Sequence, residues 1–274
     1  MSGTNVDFAY LRAVVLEESA NVLDLSRDYL FESRLQDLLI ASGLMTLDRL
    51  VAALRLRLDP ALRRSVAETM TIKETSFFRD SSPFDLLEED LLPGIIRNRE
   101  AARRLRLWSA ACSSGQEPYS LAMVIREHFH QLNDWEVEVT GTDISQEMIR
   151  RARAGRYARR EWNRGLPSHY RLRYLQPSGD EWEVTPDVKQ ICRFYQCNLC
   201  EGPLPLEKYD GILLRNVMLY FPDEARRQLL LHVYRILRPD GFLILGSGEQ
   251  PALPELFQAE LKGSACYYRP LPLA

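Results

Sequence analysis

The chain has 274 residues, 46% of them apolar and 27% charged, with a formal net charge of −3. That length holds one large α/β domain with a smaller unit beside it, and the apolar share suffices for an ordinary globular core. The near-neutral balance gives no global argument for nucleic acid or for membrane insertion. No apolar run approaches the roughly 18 residues that a spanning helix needs. The opening MSGTNVDFAYLRAVVLEES has no basic leader ahead of an apolar stretch. Five cysteines without a paired framework fit a reducing interior, so a cytoplasmic location is expected.

The first 80 residues read as all-helical. Ser26 is placed to cap a helix through YLFESRLQDLLIA that Gly43 ends. Thr46 is placed to cap LDRLVAALRLRL, and Asp59-Pro60 opens ALRRSVAETM with a cap followed by proline in the first turn. Another helix is expected from Ser82-Pro83 through FDLLEEDLL. Arginines cluster at Arg55, Arg57, Arg63 and Arg64, from Arg97 to Arg106, and from Arg150 to Arg164. Each cluster is either a solvated helix face or a surface for an anionic partner.

From about residue 105 strand-like runs alternate with helical ones. LRLWSA precedes the helix EPYSLAMVIREHF, and EVEVTGTDI precedes SQEMIRRARA. ICRFYQCN and YDGILLRN follow, then the helix PDEARRQLLLHVYRIL, then GFLILGS and ACYYRP. Such alternation predicts a doubly wound, mainly parallel sheet of Rossmann-like α/β class with helices on both faces. Between 157 and 190 the alternation breaks, and RLRYLQPSGDEWEVTP reads as short antiparallel strands around a turn at Pro177-Ser178-Gly179-Asp180. The expected organisation is a helical unit over 1–80, an α/β domain over 81–274, and a small β insertion over 157–190 within it.

Ligands of such sheets sit at the carboxyl ends of the strands. After the first strand comes Ala-Ala-Cys-Ser-Ser-Gly115-Gln-Glu117-Pro118, with one glycine and no GxGxxG loop for a pyrophosphate. Glu117 beside the helix start favours a ligand with a cationic amine, or else merely offsets the helix dipole. After the second strand stands Asp143, the expected partner of ribose hydroxyls, or a cap to the helix that Ser145 can also cap. Asn198, ending the third strand, can read a purine edge or simply form a turn. Arg215 and Tyr220, leaving the fourth strand, are harder to explain by packing.

These segments resemble the CheR family of chemotaxis receptor methyltransferases. The resemblance is carried by Thr71-Ile-Lys-Glu-Thr-Ser-Phe-Phe-Arg79, by Trp108 to Ser120, by Gly141-Thr-Asp143 and by Arg215-Asn-Val-Met-Leu-Tyr-Phe221, with Leu237-Arg-Pro-Asp-Gly-Phe-Leu243 as a generic fifth signal. It spans nearly the whole chain. It implies a class I fold that binds S-adenosylmethionine through Thr75, Arg79, Glu117, Asp143, Asn198, Leu199 and Arg215, with Lys73 and Leu214 beside them. Glu117 would face the methionine amine and Asp143 the ribose. Arg79 and Tyr220 would act in catalysis, near the transferring methyl and the incoming carboxylate. The implied reaction forms glutamate methyl esters on the cytoplasmic methylation region of a chemoreceptor. Lys73 stands where the family usually has asparagine, and SSGQE replaces the commoner STGEE. The short QPSGDE turn predicts a member that does not dock on a receptor's C-terminal pentapeptide tether.

A glutamate carboxylate is ionised at neutral pH, so its methylation needs no general base. This agrees with the lack of a catalytic set around His128, His130, His169 or His232. The task is to align an oxygen with the methyl and hold it there. Cys192, Cys197 and Cys200 superficially match an iron–sulfur spacing, but they cross a buried strand, and no metal is expected. The alternatives to a receptor methyltransferase are a catalytically weak cofactor-binding interaction module and a methyltransferase with another substrate.

Overall fold

The computed structural model describes residues 6–201 and 206–272. The chain divides into two compact units, Met1–Ile72 with Tyr220–Arg226, and Lys73–Leu219 with Arg227–Ala274. The motif from Lys73 to Arg79 therefore belongs with the larger unit.

The smaller unit is built from the helices Phe8–Ser19, Tyr29–Arg34, Gln36–Ala41, Leu47–Arg55 and Pro60–Met70. Leu11, Val15, Phe31, Leu35, Leu50, Leu54, Val66 and Met70 fill its core. Thr46 accepts the Arg49 N–H and Asp59 accepts those of Ala61 and Leu62, as their positions before each helix require. The expected cap at Ser26 is not found. Asp24 takes that role for a short 3₁₀ turn by accepting the Ser26 N–H at 2.8 Å, a reach that its carboxylate makes from an extended backbone. The helix expected to run on from there is broken at the wholly buried Leu35. Arg63 does not join a solvated face either. It is buried and bonded to Glu18 (2.6 Å) and Glu17 (2.7 Å).

Among the described residues the larger unit carries ten strands: β1 (Arg104–Ala110), β2 (Glu136–Asp143), β3 (Arg156–Tyr157), β4 (Leu175–Ser178), β5 (Glu181–Val184), β6 (Cys192–Gln196), β7 (Tyr209–Leu214), β8 (Leu237–Leu245), β9 (Phe257–Lys262) and β10 (Ala265–Pro270). Seven form one sheet in the order β6-β2-β1-β7-β8-β10-β9, parallel from β6 to β8 and antiparallel at β10 and β9. Every residue of β7 is buried, as a central strand covered by helices on both faces requires. β9 is mostly exposed on an edge, which is why its alternation with polar residues does not announce it in the sequence. The remaining three strands form the small antiparallel sheet β3-β5-β4. Gly179 and Asp180 turn β4 into β5, since Ser178 pairs with Glu181.

The helix begun at Ser82-Pro83 does not stop after Leu92. It passes through a π turn at Leu87–Leu91 and continues as Leu92–Arg99. Pro93 lacks an N–H and its ring crowds the carbonyl four residues back, and the widened turn accommodates both. No helix among the described residues is long and apolar enough to cross a membrane.

Sheet order fixes where chemistry can occur. From β1 the chain builds outward to β2 and β6 on one side, then returns to add β7 and β8 on the other. The switch point lies between β1 and β7, so the loops leaving those two strands diverge and leave a crevice above the sheet.

Candidate active site

Two charged side chains meet across the switch point. Glu117, at the start of the helix Gln116–His128 that follows β1, accepts Arg215 Nη1 at 2.7 Å and Ser109 Oγ at 2.7 Å. The Arg215 side chain, just past the end of β7, is 2% exposed. Its other terminal nitrogen donates to the Arg79 carbonyl (2.7 Å) and to Asp80 (3.0 Å), and its face lies over the Phe84 ring at 5.9 Å. One guanidinium thus ties the β1–helix junction to the Lys73–Arg79 motif. Its Nε–H is buried and meets no acceptor among the described residues, an unsatisfied donor next to a cavity of about 340 Å³ that Arg215 lines with Asp80, Gly246, Glu249 and Tyr268. A buried donor left in that state is costly, and an anionic ligand group would satisfy it.

Asp143 ends β2 beside this pair. Its carboxylate accepts the backbone N–H groups of Ser113 and Ser145, both at 2.8 Å. The cap of the helix Gln146–Ala154 is Ser145, whose Oγ accepts the Met148 N–H, and Asp143 holds that cap residue in place. Ser113 Oγ in turn donates to the Lys73 carbonyl at 2.7 Å. That contact runs through the backbone, which any residue type supplies. The Lys73 amine pairs outward with Glu147 at 3.1 Å.

The remaining candidates are placed around these. Asn198 and Leu199 follow β6, whose terminal neighbour Cys197 donates its N–H to the Asp143 carbonyl at 2.9 Å. Leu199 is buried and Leu214 wholly so, the latter registered between Ala110 and Leu245, so it contributes packing and backbone. Thr75 is half-buried in the motif. Arg79 is half-buried too, and its guanidinium donates to the Glu74 carbonyl at 3.2 Å. Tyr220 falls in the smaller unit, where its carbonyl accepts the Val22 N–H at 2.8 Å.

The local backbone is strained around the crevice. Among the described residues, Phe78 (φ 46°), Asp80 (54°), Ala111 (57°), Ser113 (50°) and Asn216 (58°) adopt the left-handed region that side chains disfavour. Gly115, at φ 94°, has no alternative residue: a Cβ there would lie 2.8 Å from the Ala152 Cβ. Cys112 sits in the same turn, and burial, reinforced by the charges of Asp143 and Glu117, pushes its thiol well above the usual range.

Asp80, Ser113 and Glu249 were not marked out by the sequence. Glu249 is buried behind β8 and accepts four backbone N–H groups, from Asn216, Val217, Leu219 and Gly246. An acid in a glycine-flanked run directly after a central strand was the available signal. His128 bonds Glu88 and the Tyr170 hydroxyl, each at 3.0 Å. Burial and nearby carboxylates push that phenol up, so this trio is a packing contact rather than a nucleophile.

A doubly wound sheet with an acid after β1, an acid after β2 and a buried arginine after β7 defines a nucleoside-binding α/β enzyme without a pyrophosphate loop. Similarity to known proteins makes the class specific. The family model described as CheR methyltransferase, SAM binding domain, matches residues 73–262. Chemotaxis protein methyltransferase 1 of Pseudomonas aeruginosa is 37% identical over 98% of this chain and 99% of its own length. Chemotaxis protein methyltransferase Cher2 of Pseudomonas putida is 36% identical over 94% and 95%, and chemotaxis protein methyltransferase 1 of Vibrio cholerae 38% identical over 83% of each chain. The chain belongs to the CheR methyltransferase family, and its cofactor is S-adenosylmethionine.

The residues present fit that cofactor. A carboxylate has about four acceptor positions, so Glu117 can take an ammonium besides its two present donors. The unsatisfied Arg215 Nε–H suits a carboxylate.

Proposed function

We propose that the chain transfers the methyl group of S-adenosylmethionine to glutamate side-chain carboxylates in the cytoplasmic methylation region of a chemoreceptor. The observation that carries this reading is the Arg215–Glu117 bridge at the switch point, with the Arg79 segment tied to it. It places a cation-binding acid and two guanidinium-bearing residues in one connected set, with no histidine in it. That set suits an acceptor that arrives already ionised and needs orientation rather than deprotonation. S-adenosylmethionine, when bound, supplies an electrophilic sulfonium methyl.

In this reading Glu117 holds the amine, Asp143 the ribose, and Asn198 with Leu199 the base. Arg79 orients the incoming carboxylate, which its half-buried guanidinium can reach while the Glu74 carbonyl steadies it. Lys73, Thr75, Leu214 and Arg215 shape the pocket. The relatives' names, chemotaxis protein methyltransferases, support the pathway. The two-residue turn at Gly179-Asp180 supports a member that binds its receptor without the pentapeptide tether.

Arg79→Ala tests the assignment. It should cut the rate of methyl incorporation into receptor glutamates, read by peptide mass, by about 100-fold, the scale of a lost positioning contact. Calorimetric affinity for S-adenosylhomocysteine should stay within about threefold. Loss of cofactor affinity with unchanged turnover of bound enzyme would contradict the role. Titration with a tether pentapeptide should show no binding.

A further inference from the structure

We infer that Glu249 is a positioning residue for methyl transfer, acting as a clamp that holds the loop leaving β7. The loop Asn216–Leu219 begins next to Arg215 and ends one peptide bond before Tyr220. Asn216 and Val217 lie outside any helix or strand, Asn216 has φ 58°, and the 3₁₀ turn Met218–Tyr220 begins directly after them. Glu249 holds the entry to that turn. Its Oε2 accepts Asn216 N at 2.7 Å and Gly246 N at 2.9 Å, and its Oε1 accepts Val217 N at 3.0 Å and Leu219 N at 3.2 Å.

The arrangement is a fixed anion inside a ring of N–H dipoles. The residue is only 8% exposed. A carboxylate at that depth is stable only when its acceptor positions are filled, and here backbone donors fill them, with no cationic partner among the described residues. Converging amides need an acceptor in the same way, so loop and acid stabilise each other. Gly246 makes the approach possible. A Cβ on it would lie 2.7 Å from Glu249 Oε2, 2.7 Å from Asn216 Nδ2 and 2.8 Å from Asn216 N. The clamp thus joins the end of β8 to the start of the loop after β7, two neighbouring parallel strands.

All four of these bonds go to backbone, three of them in the loop, so the effect of Glu249 on chemistry passes through the loop. The residue before the loop, Arg215, carries the cofactor-side guanidinium. Fixing residues 216–219 fixes its departure from β7. For its turnover arm this inference rests on the receptor-methylation reading above; for its structural arm it does not.

The test is hydrogen exchange on the full chain, with turnover read in parallel. In the unaltered protein the amides of Asn216, Val217, Leu219 and Gly246 should exchange slowly, although only Leu219 lies in a helical turn; rapid exchange there overturns the clamp whatever any variant does. In Glu249→Gln one oxygen becomes a donor that faces other donors. Those four amides should then exchange at least about tenfold faster, with the core of β1 and β7 unchanged. The kcat for receptor methylation should fall about tenfold or more, with KM for S-adenosylmethionine within about threefold. Glu249→Asp, which keeps the charge, should recover part of both. Turnover within twofold of the unaltered chain while the loop amides have become fast would overturn the positioning role. A chain inactive on receptors but with protected loop amides and normal S-adenosylhomocysteine affinity would overturn the receptor reading instead, so the two fail separately.

Discussion

Arg215 concentrates the site's electrostatics in one side chain. It meets Glu117, the Arg79 carbonyl and Asp80 with its two terminal nitrogens, and a lysine could not copy that fork. Arg215→Lys should therefore lower affinity for S-adenosylhomocysteine by about tenfold or more, since removing one partner strands the half-buried Glu117; calorimetry checks it. Glu117→Gln should weaken the same affinity by a similar factor. Thiols give an independent probe. Burial pushes Cys197 and Cys200 up to about 11 from 9.0, so at pH 8 their thiolates are about 100-fold scarcer than those of a free cysteine. Iodoacetamide labelling of both should be slow at pH 8 and accelerate toward pH 11. Fast labelling at pH 8 would contradict their burial.

At the scale of elements, the turn after β1 is where geometry is least forgiving. Gly115→Ala would place a methyl 2.8 Å from Ala152 at a positive φ, and should destabilise the protein by about 1–3 kcal/mol, measured as a lower urea midpoint. Most of the parallel sheet was legible in the sequence because its central strands are continuous apolar runs bounded by turns; YDGILL is buried throughout. Glu117, Asp143 and Arg215 stood out for a related reason, since each lies at or beyond the carboxyl end of such a strand. Three features were not. β9 lies on an edge and alternates with exposed polar residues. The π turn at Leu87–Leu91 is set by a proline two residues beyond it. Glu249 reads locally as a loop acid, and its role comes from N–H groups about thirty residues upstream.

At the scale of the whole molecule, the arginine clusters divide into structural and available charge. Arg99 is committed to Asp210 (2.6 Å) and Asp240 (2.5 Å), Arg104 to Glu136, and Arg151 to Glu161 (2.6 Å). Arg150, Arg159 and Arg160 remain exposed. An acidic helical receptor surface would meet those, so methylation should slow as salt rises from about 0.05 to 0.5 M, whereas S-adenosylhomocysteine affinity changes little. The committed pairs set the acid limit. The hydrogen bond from Arg99 holds Asp240 below 3.8, and that from Lys189 holds Glu183 below 4.5. Folded values below unfolded ones mean stabilisation that is present above those values and lost as pH falls through the depressed ones. Urea stability should therefore be flat with respect to these groups near neutrality and decline below about pH 4.

The central claim is ester formation on receptor glutamates. Labelled S-adenosylmethionine, incubated with the protein and receptor-rich membranes and followed by mild base, tests it most directly. The account predicts that the label transferred to the receptor is released as methanol. No transfer despite calorimetric binding of the cofactor, or transfer in a base-stable form, would contradict it.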